Sequence, residues 1–155
     1  MDINVIYENI LSRITEDLAS YGYKRSGKGT LFYRYSADKK VGCAFEMQKS
    51  MFNSPDDYSF TFNLGCIALY NLNGYHKDKL TLEALKLSRL LQTGGKRLGV
   101  LSRGSDYWWS INNKTLRKFK IEKYYNQFLQ KDIIKGAEYL NEQAQIKERV
   151  YTVGD

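Results

Sequence analysis

The sequence predicts an α+β domain: an N-terminal amphipathic helix, an antiparallel sheet of about five strands (a three-strand meander plus a hairpin), and middle and C-terminal helices. Three observations carry that expectation. Ile3, Ile6, Ile10, Ile14 and Leu18 recur at helical spacing. Residues 45–65, FEMQKSMFNSPDDYSFTFNLG, alternate apolar and polar, break at a turn and alternate again, as two paired strands do. From Lys114 onward, Leu116, Phe119, Tyr124, Phe128, Ile133, Ala137 and Leu140 again fall on a helical stripe.

Each element has its own signals. In the first helix Asp2 can cap the start and Gly22 can end it in a left-handed conformation. A glycine-rich turn at 27–29 leads into TLFYRYS, a strand with Leu31, Tyr33 and Tyr35 on one face and Phe32 and Arg34 on the other. VGCAFEMQK and YSFTFNLGC follow as the next two strands. Opposed residues of an antiparallel pair share a face, so the apolar positions of these two strands match when Cys43 opposes Cys66, Phe45 opposes Leu64 and Met47 opposes Phe62. A register slipped by two residues is the near alternative. Thr81 to Leu91 reads as a helix closed by Gly94 and Gly95. A second hairpin is expected next, with Leu98 and Val100 in one arm, Tyr107, Trp109 and Ile111 in the other, and SRGS as its turn; 100 then faces 107 and 98 faces 109. The C-terminal helix breaks near Lys120 or Lys131.

Composition bounds the class. A chain of 155 residues, 43% hydrophobic with a single proline, can bury a core unaided, and with no linker or repeat it reads as one domain over 1–155. No apolar run approaches the roughly 18 residues of a membrane span, and Asp2, Glu8, Glu16 and Asp17 interrupt any signal-peptide pattern. A cytoplasmic location is expected. Cys43 and Cys66 fall on the apolar parity of their strands and are expected as neighbouring but unbonded thiols. The net charge of +7 is uneven: residues 76–123 carry twelve basic and four acidic side chains, whereas the parts before and after are close to neutral. Such a segment suits an anionic partner or a solubilising surface.

No motif fixes a chemistry. GYKRSGKG, 22–29, has the spacing of a phosphate-binding loop, but Gly29 stands where a magnesium-binding hydroxyl belongs, and the order is helix then strand instead of strand then helix. TGGKR at 93–97 places Arg97 at the hydroxyl position. SADK, 36–39, has a Ser-x-x-Lys spacing but reads as a turn between strands. His76, the single histidine, has no nucleophile or carboxylate at a recognisable spacing. No catalytic residue, metal site or cofactor is expected. In DYWWSI, Trp109 points inward with Tyr107 and Ile111 while Trp108 points away, within reach of Arg97. That pair is either an indole covering its own sheet or an aromatic anchor on a basic surface. The polar parity of the opening hairpin, Glu46, Gln48, Ser59, Thr61 and Asn63, is expected to share a face with Arg34. This polar shelf is either a site or the wet side of a sheet.

YGYKRSGKGTLFYR, MQKS, FTFNLG and RLGVL…WWSI together resemble an uncharacterised bacterial family of unknown function, DUF4304. The resemblance implies a small α+β domain and no activity, cofactor or catalytic residue. It touches Arg34, Gln48, Ser50, Asn63 and Gly65, most of them on the shelf. The leading expectation is a non-enzymatic bacterial binding protein, of the immunity or inhibitor kind, docking a protein with an acidic or neutral contact face. The candidate binding residues are Arg34, Glu46, Gln48, Asn63, Arg97, Trp108, Arg117 and Lys118. A nucleic-acid binder using the 76–123 segment comes second and a small-molecule enzyme on the shelf third; no membrane partner is expected.

Overall fold

The computed structural model describes residues 3–71, 79–82, 95–118 and 120–153, with the backbone alone at 3, 71, 117, 118 and 151–153. Helix α1 (Ile3–Ala19) buries Ile6, Ile10, Ile14 and Leu18, as their spacing requires. It ends where Gly22 takes φ of +88° and Gly22 N–H donates to the Ala19 carbonyl, the left-handed stop that glycine allows without steric cost. A strand of two residues, β1 (Lys24–Arg25), pairs with β2 (Leu31–Tyr35), which pairs with β3 (Val41–Lys49), which pairs with β4 (Asp57–Ala68), all antiparallel. The β3–β4 register opposes Cys43 to Cys66, Phe45 to Leu64 and Met47 to Phe62, as parity requires.

The second half departs from the expected hairpin. Strand β5 (Lys96–Arg97) pairs with β4 at Asn63 and Leu64, and β6 (Trp109–Asn112) pairs with β4 at 57–60. Between them, Leu98–Arg103 is a helix, α2. Leu98 and Val100 therefore form no ladder with Tyr107 and Trp109; both short strands add to β4 instead. The reason lies in packing. α2 ends at Gly104 in the left-handed conformation (φ +80°), and Gly99 lies so close to the returning chain that an added Cβ would stand 2.4 Å from Tyr107 N. Tyr107, expected inside, is 38% exposed.

Three helices complete the described chain: α3 (Asn113–Lys118), α4 (Ile121–Phe128) and α5 (Gln130–Val153). The expected helix over 81–91 lies outside the described residues beyond Leu82, as does His76. The main core lies between α1, α4, α5 and one sheet face, where Phe32, Phe45, Phe60, Phe62, Leu64 and Trp109 are at most 1% exposed. Each such side chain contributes about 1.5–3 kcal/mol by leaving water. The other sheet face is covered too. Ile67 and Leu80 form a second cluster with Tyr33, Tyr35, Leu69 and Leu82, and Leu31 and Ala44 pack on Leu82.

Cys43 and Cys66, expected as free thiols, are joined as a disulfide. Direct opposition across two neighbouring strands brings their Cα atoms to 4.0 Å, so the sulfurs are within bonding reach. The expectation of proximity holds; the expectation of free thiols does not.

Candidate functional site

Arg34 leaves the shelf. The β2–β3 register opposes Arg34 to Cys43 and Phe32 to Phe45, and it is Leu31 that opposes Glu46. Arg34 therefore projects with the main core, where Nη1 donates to the Tyr21 carbonyl (3.1 Å) and to Asn141 Oδ1 on α5 (2.6 Å). It ties the sheet to α5 and to the turn that follows α1, and cannot meet Glu46.

The rest of the shelf does assemble. Glu46 opposes Asn63, Gln48 opposes Thr61, Arg97 opposes Asn63 and Ser110 opposes Ser59, so these side chains share one face. Its middle is dry, with Thr61 fully buried and Asn63 7% exposed, whereas Glu46, Gln48 and Ser59 are half-buried and Ser110 is exposed. Asn63 Nδ2 donates to Gln48 Oε1 (3.0 Å), Thr61 Oγ1 donates to the Tyr107 carbonyl (3.0 Å), and the Ser59 and Ser110 hydroxyls lie 2.8 Å apart. Two buried atoms on this face have no hydrogen-bond partner among the described residues, Asn63 Oδ1 and Arg97 Nη1. Each such buried group costs about 1–3 kcal/mol.

The Arg97 guanidinium lies over the Trp108 ring at 5.2 Å, with Asp106 at 4.0 Å. The two candidates at this end are thus brought together by stacking. Arg117 and Lys118 lie on α3, away from the shelf strands in sequence and with side chains outside the described residues.

Beyond Trp108, β6 forms one wall of a groove of about 630 Å³. Tyr107 and Trp108, Tyr124 and Phe128 of α4, and Lys114 of α3 are among the residues that line it. The Tyr124 hydroxyl donates to the Ser110 carbonyl (3.0 Å), and Trp109 Nε1 donates to the Phe128 carbonyl (3.0 Å), which fixes strand against helix. Burial pushes the Tyr124 hydroxyl well above the ordinary tyrosine range; nearby Tyr107 adds to this and Arg103 opposes it.

The β3–β4 turn adjoins α3, where Asn113 Nδ2 reaches Asp56 (3.5 Å). It presents Met51 and Phe52 to solvent at 86% and 87% exposure. The turn is braced by side chains: Asn53 accepts from Ser59 N–H (2.7 Å) and donates to its carbonyl (3.1 Å), and Ser50 Oγ accepts from Phe52 N–H (3.1 Å). Of the tip and the groove, only Trp108 of the groove was among the residues expected from sequence. The signal for the tip was nonetheless present, since two large apolar residues in a turn break the usual polar pattern. The groove had only the Tyr124–Phe128 spacing of four, which equally describes a core stripe.

Among the described residues, no group of three His, Cys, Asp or Glu side chains could hold a metal ion, and no helix is long and apolar enough to cross a membrane. A family model described as a domain of unknown function, DUF4304, matches residues 14–138. No curated protein and no solved structure matches the chain.

Proposed function

The chain belongs to the DUF4304 family of unknown function, and on that premise we propose that it is a non-catalytic binding domain that docks another protein along the β6 side of its sheet. The observation that carries this reading is the braced hairpin tip, which holds Met51 and Phe52 almost fully in water. A turn that orders its own backbone has already met the entropy of docking, and a large apolar pair released from water supplies the gain. Arg97 and Lys114 lie on the same side, and the chain carries +7 overall, so an acidic or neutral partner face fits best. An inhibitor or immunity role would use such a surface.

A nucleic-acid role has less support. Lys96 lies over Tyr139 of α5, Arg97 projects from the opposite sheet face, and Arg103 pairs with Asp132 (2.9 Å). These cations of the basic segment are not gathered into one phosphate-tracking patch.

A photo-crosslinking residue at position 52, compared with one at the exposed Ile146 of α5, tests the reading in cells. A discrete protein adduct is expected from 52 alone, and Phe52→Ala should weaken the purified pair at least about tenfold. No adduct from 52, or the same adducts from both positions, would overturn it.

A further inference from the structure

We propose that the groove along β6 is a binding site for a small planar-ring anion, a ligand joining an aromatic ring to a carboxylate or phosphate. This inference is independent of the docking role of the hairpin tip. The volume of about 630 Å³ lies within the range of small-molecule sites. Its walls are aromatic and already fixed. Trp108 is held by Arg97 at 5.2 Å, Tyr107 by Arg103 at 4.1 Å, and Tyr124 by its hydrogen bond to Ser110 and its contact with Phe128 at 5.3 Å. Rings held in place before binding leave little ordering cost for a stacked ligand.

The anionic part follows from charge. Among the described residues, Lys114 is the single charged side chain lining the groove, and no carboxylate lines it. The surrounding carboxylates are turned elsewhere: Asp56 toward Asn113, Asp106 toward Arg97, Glu122 to Arg13 and Asp132 to Arg103. Asp57, the register partner of Asn112, is exposed and does not line the groove. Asn112, which also lines the groove, accepts at Oδ1 from Thr115 N–H (2.9 Å) and its hydroxyl (3.0 Å), which leaves its Nδ2 to donate. The lining therefore combines donors and positive charge with aromatic rings.

A peptide added as a strand fits less well. It would need the Ser110 carbonyl on β6, which Tyr124 already occupies.

Titration of the full chain, followed by calorimetry and by the indole N–H resonance of Trp108, tests the assignment. The probes are adenosine 5′-monophosphate and indole-3-acetate, with adenosine, indole and inorganic phosphate as controls. Saturable binding of at least one ring-anion probe is expected, at least about tenfold tighter than its ring alone or phosphate alone; which of the two binds identifies phosphate or carboxylate as the anion. Lys114→Gln and Trp108→Leu should each raise Kd about tenfold or more, while Lys147→Gln on α5 should leave it unchanged. A folded control is provided by the unshifted Trp109 indole in each variant. No saturable binding of either probe, equal binding of the controls, or affinity insensitive to both groove substitutions would overturn the proposal.

Discussion

Replacing Gly99 by Ala should destabilise the protein although it puts a better helix former inside a helix. The gain from helix propensity is about 1 kcal/mol. Against it stands the returning chain: the new Cβ would lie 2.4 Å from Tyr107 N, 2.7 Å from Tyr107 Cβ and 2.9 Å from the Ser105 carbonyl. These are mostly backbone atoms that no side-chain rotation can clear. Overlap of this kind reaches about 3 kcal/mol, leaving a net loss of about 2 kcal/mol, or a fall in Tm of about 4–8 °C for a chain this size. Differential scanning calorimetry should find that fall, and near-ultraviolet circular dichroism should report displacement of Tyr107 and Trp108. Gly104→Ala is the control, because nothing lies within 4 Å of its added Cβ and only the φ of +80° opposes it; its cost is about 1 kcal/mol. If Gly99→Ala melts with or above the wild type while Gly104→Ala melts below it, the close approach of α2 to residue 107 is wrong. A strand at 98–100 would then become the better account, since a strand interior gains when glycine is replaced.

Other outcomes follow from the same geometry. Arg34→Met and Asn141→Leu should couple by about 1 kcal/mol in a double-mutant cycle read by urea unfolding, whereas Arg34→Met with Glu46→Gln should be additive within about 0.5 kcal/mol; the reverse ranking would return Arg34 to the shelf. Thiol titration of denatured, non-reduced protein should find no free thiol, and reduction should cost about 3 kcal/mol for a loop of this length; two free thiols would contradict the Cys43–Cys66 bond. Burial raises the hydroxyl pKa of Tyr7, Tyr23, Tyr124 and Tyr125, with Asp17 adding to it at Tyr125. Because these folded values exceed the unfolded value of about 10, their contribution is intact below that pH and is lost as pH rises above it. Ultraviolet titration should therefore show these four of the 13 tyrosines ionising only with alkaline unfolding, and full ionisation by about pH 11 in folded protein would refute their burial.

How much could be read from the residues depended on whether the two faces of an element differ. β3 and β4 put Phe45, Met47, Phe62 and Leu64 on one side and Glu46, Gln48, Thr61 and Asn63 on the other, so their register followed from parity alone. β2 offers no such contrast. Leu31, Tyr33 and Tyr35 pack on Leu82 or Ile67 while Phe32 enters the main core, so both faces are apolar and Arg34 was assigned to the wrong one. Leu98 to Arg103 was equally ambiguous, since Leu98 and Val100 fit a strand and Leu98 and Leu101 fit a helix. What decided it was a backbone contact at Gly99, and contacts between residues separated along the chain leave no periodic trace. The shelf was legible as a set of polar residues, but the burial of Thr61 and Asn63 within it was not, because the Tyr107 carbonyl that meets Thr61 comes from another part of the chain.

β4 spans 12 residues, yet along its outer edge it meets two strands of two and four residues with a helix looped between them. At the far side the sheet ends in β1, which is also two residues long. A foreign strand approaching either border would find a template of at most four residues, and on the β6 side its way is blocked by Tyr124. The longest strand among the described residues is thereby kept from templating fibrils or edge-to-edge dimers. Excision of α2 to let 96–112 run as one continuous border strand would trade that protection for regularity, with self-association as the measurable consequence.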